Sequence, residues 1–153
     1  MDHEQRAGEL FLQGYNCAQA VAVAFCDVTG LTPEVAAKLA SSFGGGMGRM
    51  REVCGAVSGM LMVAGLLYGY ATPDDDEIKM KHYELVQKLA ADFREKMGSI
   101  ICRELLDNPP SDPTPTPRTE AFYEHRPCAW FVMHAAKLLD EYMAENPPEK
   151  LHG

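Results

Sequence analysis

Twenty-one consecutive residues, Val53 to Pro73, carry no formal charge. A run of about 20 apolar residues is the usual length of a membrane-spanning helix. This one is broken up by Gly55, Gly59, Gly65 and Gly69 and softened by Ser58, Tyr68, Tyr70 and Thr72, and it contains no Phe, Trp or Ile. No second span of this kind accompanies it. A helix apolar on every side has to be buried, so the run reads as the central helix of a soluble bundle. The rest of the chain must then supply the helices that cover it.

Helix punctuation supplies them. Residues 3–13 hold Leu10 and Phe11 and stop at Gly14. Asn16 is placed to cap a second helix, from Cys17 to about Thr29, that ends at Gly30. Thr32-Pro33-Glu34 is a strong start for a third. Phe43-Gly44-Gly45-Gly46-Met47-Gly48-Arg49 cannot hold a helix, and the apolar helix follows, from Cys54 to about Tyr70. Pro73-Asp74-Asp75-Asp76-Glu77 opens a long fifth, with Ile78, His82, Leu85, Leu89, Phe93 and Met97 along one stripe. Ser99 is placed to cap a short sixth from Ile100 to Leu106, and Pro127 opens the last, with Trp130 on its apolar side. Residues 108–126 form a Pro-rich strap that begins as an extended segment over 108–118. No alternating strand and no repeat is visible. The expected fold is all-α, six or seven helices in one domain over residues 1–146, with 147–153 a frayed tail.

Composition narrows the function. Acidic residues outnumber basic ones 22 to 14, a net charge of −8, which repels phosphate backbones and anionic lipid heads. Nucleic acid and stable membrane insertion are therefore not expected as partners. The N-terminus, Met1-Asp2-His3-Glu4-Gln5-Arg6, reads as neither a secretory signal nor a transit peptide, so a cytoplasmic location is expected. In that compartment thiols stay reduced, and cysteines are buried, catalytic or metal-bound more often than disulfide-bonded.

There are five cysteines: Cys17, Cys26, Cys54, Cys102 and Cys128. Four fall in the first turn of an expected helix: Cys17 after Asn16, Cys54 after the glycine loop, Cys102 three residues after Ser99, and Cys128 after Pro127. The first turn offers unpaired N–H groups and the positive end of the helix dipole, and both favour thiolate. The same setting suits an iron–sulfur cluster, which is anionic. Cys26, on the far side of the second helix from Cys17, reads as a packing residue. The gaps between the four are 37, 48 and 26 residues, with no C-x-x-C, which disfavours a zinc ribbon and a thioredoxin-type dithiol. Gly45, Gly46 and Gly55 are candidates for close backbone approach to a cofactor or to Cys54. His125 is a candidate base or ligand three residues before Cys128. Arg49, Arg51 and Arg126 stand near cysteines in sequence, where they would favour thiolate or simply face solvent. His82 and His134 read as packed.

Cys54-Gly55-Ala56-Val57-Ser58-Gly59 resembles the signature of the C_GCAxxG_C_C family, whose label writes its first two residues in the other order. Asn16-Cys17-Ala18, Phe43 to Arg49, Leu66-Leu67-Tyr68-Gly69, Gly98-Ser99, Cys102-Arg103-Glu104-Leu105-Leu106 and Pro127-Cys128 extend the resemblance over roughly residues 8 to 140. It implies a small soluble protein with four family cysteines, mapping to Cys17, Cys54, Cys102 and Cys128, and a presumption of redox activity without a named substrate. The family is also similar to a domain of split-Soret-type cytochromes, where a four-cysteine pocket implies an iron–sulfur centre. No C-x-x-C-H is present, so a haem role does not carry over.

The expected function is redox activity by these four cysteines, through thiol/disulfide exchange or electron transfer, with Cys54 the most reactive thiolate. An iron–sulfur protein using the same cysteines as ligands is the alternative. A zinc-binding or structural module is the third reading. The redox partner is unknown, and a homodimer is compatible with the long apolar helix and the Met-rich composition.

Overall fold

The computed structural model describes residues 2–107 and 109–149, apart from the side chain of His125. The expectations placed on that side chain and on the tail from residue 150 lie outside the described residues. The fold is all-α, as expected. Nine helices are present among the described residues: α1 (His3–Leu12), α2 (Cys17–Ala24), α3 (Cys26–Thr29), α4 (Pro33–Ala40), α5 (Gly55–Tyr68), α6 (Asp76–Met97), α7 (Cys102–Leu105), α8 (Glu120–His125) and α9 (Cys128–Glu145).

Caps set the starts. Asp2 Oδ1 accepts from Gln5 N at 2.7 Å, and Thr32 accepts from Val35 N with Pro33 beside it. Asn16 and Gln19 close a reciprocal capping box at 2.8 and 3.1 Å. Asp75 and Thr119 cap α6 and α8 in the same way. Gly14, Gly30 and Gly98 take the left-handed backbone that ends a helix.

α5 is the buried centre. None of its 14 residues is exposed, and α2, α6 and α9 pack around it. Small residues let α2 come close: a Cβ on Gly59 would stand 2.7 Å from Ala18 O and 3.0 Å from Val21 Cβ. α9 also lies along α1 and α2. Phe11, Phe25, Met60, Leu89, Phe93 and Leu139 fill one continuous core. No helix of the described residues is long and apolar enough to cross a membrane.

The structure corrects several sequence expectations. The second helix breaks at Phe25, which buries its ring fully against the His3 ring at 4.1 Å. Cys26 therefore opens a separate short turn rather than lying on the far side of α2. With α8, formed within the strap, that break raises the helix count above six or seven. Ser99 does not cap the short helix near Cys102. Its hydroxyl accepts from Ile101 N and donates to Glu104, while Ile101 forms an antiparallel bridge to Val53. Trp130 and Ile78, placed on apolar stripes by periodicity, are exposed. The stripe of α6 is buried only at Leu85, Leu89 and Phe93.

Candidate functional site

Cys17, Cys54, Cys102 and Cys128 line one cavity of about 470 Å³. Cys17, Cys102 and Cys128 are the first residues of α2, α7 and α9, and Cys54 immediately precedes α5. Helices α2, α5 and α9 thus turn their N-terminal ends toward the same space. Converging positive dipole ends repel one another unless negative charge lies between them. Cys26 does not line the cavity.

Two local devices bring the segments together. The Val53–Ile101 bridge ties two of them: Cys54 N donates to Ile100 O at 2.8 Å and Cys102 N to Glu52 O at 2.6 Å. Before it, the glycine run coils left-handed, with Gly45, Gly46, Met47, Gly48, Arg49 and Arg51 all at positive φ. A side chain at Gly46 would strike Cys102 Cβ at 2.8 Å and Arg51 Cα at 2.8 Å. One at Gly55 would meet Cys17 Cβ at 3.1 Å. Gly45, Gly46 and Gly55 all line the cavity, and the close approach they permit is between protein segments.

Arg49 and Arg51 are non-glycine residues in the left-handed region, a conformation that costs on the order of 1–3 kcal/mol each. Their side chains hold the Pro-rich strap. Arg49 Nε donates to Asp112 O at 2.8 Å and Nη1 to Thr116 Oγ1 at 2.8 Å, while Arg51 Nε donates to Pro110 O at 2.9 Å. Pro113, Pro115 and Thr116 of the strap wall the cavity. Arg118 lies over the Phe11 and Phe122 rings and donates to Phe11 O and Tyr15 O. Arg51 is only 4% exposed, so it does not face solvent. Its Nη1 donates to Cys102 Sγ at 3.7 Å, and its Nη2 has no partner among the described residues.

Electrostatics rank the thiols differently from the sequence. Burial pushes the Cys54 thiol up to about 12, although the N–H groups of Ala56 and Val57 pull the other way. At Cys54, where the most reactive thiolate was expected, desolvation opposes the pull of the helix N-terminus. The Cys17 thiol is held well above its ordinary value chiefly by the neighbouring Cys128 sulfur, with burial adding to the effect. Cys128 moves down. The neighbouring Cys17 thiol stabilises its thiolate against the cost of burial, and Arg126, Arg118 and Arg51 act in the same direction.

Among the described residues, no group of three or more His, Cys, Asp or Glu side chains is placed to hold a metal ion. The metal roles given to Cys17, Cys54, Cys102 and Cys128 therefore find no ready ligand set for zinc. Sequence reasoning missed Arg118 and the aromatic wall of Phe11, Phe122 and Phe131. An arginine at the end of a proline run, just before Phe122 and Tyr123, was the available signal.

None of the curated proteins or solved structures compared with the chain matches it. A family model does, over residues 15–142, and its description is "Putative redox-active protein (C_GCAxxG_C_C)". The matched span holds every cysteine of the cavity and the glycine coil between them. On a match over most of its length, this chain belongs to the C_GCAxxG_C_C family.

Proposed function

We propose that the protein carries out thiol/disulfide exchange, with Cys128 as the attacking thiolate and Cys17 as the resolving thiol. The observation that carries this reading is that Cys17 and Cys128 line one arginine-lined cavity, where their mutual influence favours one sulfur as thiolate and the other as thiol. An exchange pair needs that asymmetry: one nucleophile and one proton donor.

The reaction balances as follows. The Cys128 thiolate attacks one sulfur of a disulfide, forming a mixed disulfide, and the other sulfur leaves as thiolate. That thiolate takes the Cys17 proton. The Cys17 thiolate then attacks Cys128 Sγ and expels the second substrate thiolate. The substrate gains two electrons and the protein holds a Cys17–Cys128 disulfide, which an external dithiol reduces in the next cycle. Cys54 stays protonated beside them, and Cys102 takes the Arg51 hydrogen bond.

An iron–sulfur protein is the second reading, favoured by one observation: all four thiols line the same cavity. Cys17, Cys54, Cys102 and Cys128 would be its ligands, and the cluster would supply one-electron transfer. Anaerobic purification with iron and zinc analysis separates the readings. A colourless, metal-free protein whose Cys128 reacts fastest with a small disulfide supports exchange. A brown protein with stoichiometric iron replaces exchange by the cluster, and stoichiometric zinc without redox response supports a structural module.

A further inference from the structure

We propose that the arginine-walled half of the cavity is a subsite for the anionic group of a small disulfide substrate, held beside Cys128 by Arg51 and Arg126. The inference rests on the exchange reading and names its substrate class: a low-molecular-weight disulfide bearing a carboxylate.

Among the described residues, four arginines line the cavity, Arg49, Arg51, Arg118 and Arg126, and no Asp or Glu does. This is a positive hollow in a chain of net charge −8. None of the four pairs with a carboxylate among the described residues, where the arginine ion pair is Arg103 with Glu52, away from the cavity lining. A buried guanidinium without a counter-charge is costly, and strongly so where a donor is left unpaired. Arg51 is in that position, with Nη2 buried and without a partner among the described residues.

The four arginines divide by engagement. Arg49 is occupied by the strap, and Arg118 by the carbonyls of Phe11 and Tyr15. The Arg126 side chain lies over the Phe122 ring and makes no hydrogen bond among the described residues, so its guanidinium is available. Arg126 offers the planar N–H fork that binds a carboxylate in bidentate fashion, and Arg51 adds its unpaired Nη2. The N-terminal ends of α2, α5 and α9 add the same sign of field. A space of about 470 Å³ is the size of a small-molecule pocket. Its other walls, Phe11, Phe122, Phe131 and the strap prolines, suit the apolar part of such a molecule.

The experiment compares two disulfides on the reduced full chain: anionic dithiobis(nitrobenzoate) and neutral dithiodipyridine. A small free thiol calibrates their intrinsic reactivities. The ratio of the two rates cancels any change in the thiolate fraction of Cys128, so it reports recognition of the charge. The expected result is a preference for the anionic reagent of about tenfold over the calibration, the scale of one charge-assisted hydrogen bond. Arg126→Gln, a half-buried position, and Arg51→Gln should each erase most of it. A ratio equal to the calibration and indifferent to Arg126→Gln overturns the subsite. Calorimetric binding of thionitrobenzoate to Cys128→Ser protein separates this idea from the exchange reading. Binding lost in Arg126→Gln/Cys128→Ser supports the subsite even where exchange itself fails, and the absence of binding to Cys128→Ser overturns it.

Discussion

Helices α5 and α9 end in two different ways. Their N-terminal ends carry Cys54 and Cys128 into a cavity with four arginines and strained backbone. Their C-terminal ends close on ordinary packing. Tyr68 and Tyr142 meet edge to face at 5.0 Å, and the Tyr68 hydroxyl donates to Asn146 O at 2.6 Å. The same two helices thus have one end where every device stabilises the fold and one where several cost it. Left-handed Arg49 and Arg51, a buried guanidinium whose Nη2 has no partner among the described residues, and converging dipoles all lie at the cysteine end. Such a concentration of local cost marks a site rather than a core.

The comparison breaks most easily at Cys128. Cys128→Ser should slow reduction of a small disulfide by roughly 10²-fold or more, the scale of a lost catalytic group. Cys26→Ser should leave the rate unchanged, and stopped-flow kinetics on both proteins with matched circular dichroism checks this. If Cys54→Ser is the severe variant and Cys128→Ser is mild, the order of the two thiols is reversed.

Alkaline titration tests the cysteine end in a second way. The folded value of Cys54 is raised, so its contribution is fully present below the ordinary thiol value and is lost as pH rises toward about 12. Stability should fall by about 1.4 kcal/mol per pH unit from this group over that window. Cys54→Ala should flatten the slope in urea melts taken at successive pH values. The exchange rate runs the other way: it should rise with pH and level off below the ordinary thiol range, because Cys128 is lowered.

Along α5 the contrast can be read with two glycines. Gly59→Ala forces a Cβ against Ala18 and Val21 and should cost about 1–3 kcal/mol. Gly65 has open space where a Cβ would go, and Gly65→Ala should add about 0.8–1 kcal/mol of helix stability. Thermal melts give both signs. The smallest effect belongs to the packed end: Tyr68→Phe removes one partly exposed hydrogen bond and should cost about 0.5–1.5 kcal/mol with no change in exchange rate.

Much of this was legible in the chain. Asn16, Thr32-Pro33 and Asp75 announced their helices because capping is local chemistry. The cysteines at helix starts were found for the same reason. The break at Phe25 was not, since it depends on a ring stacking against His3 from another helix. Nor was the rank of the thiols. Position at a helix start lowers a thiol and burial raises it, and only the fold says that Cys54 loses more to burial than it gains. Arg51 was legible as a cation near a cysteine, but its burial comes from the strap folding back across it. The Val53–Ile101 bridge joins residues 48 apart, and neither segment alternates enough to announce a strand.

The central claim is that Cys17 and Cys128 are the exchanging pair within the four-cysteine cavity. Limited oxidation of the reduced, metal-free protein with one equivalent of a small disulfide, followed by non-reducing peptide mapping, tests it directly. A Cys17–Cys128 linkage as the first product is the predicted result. A first linkage between Cys54 and Cys102, with Cys128 still free, would contradict it.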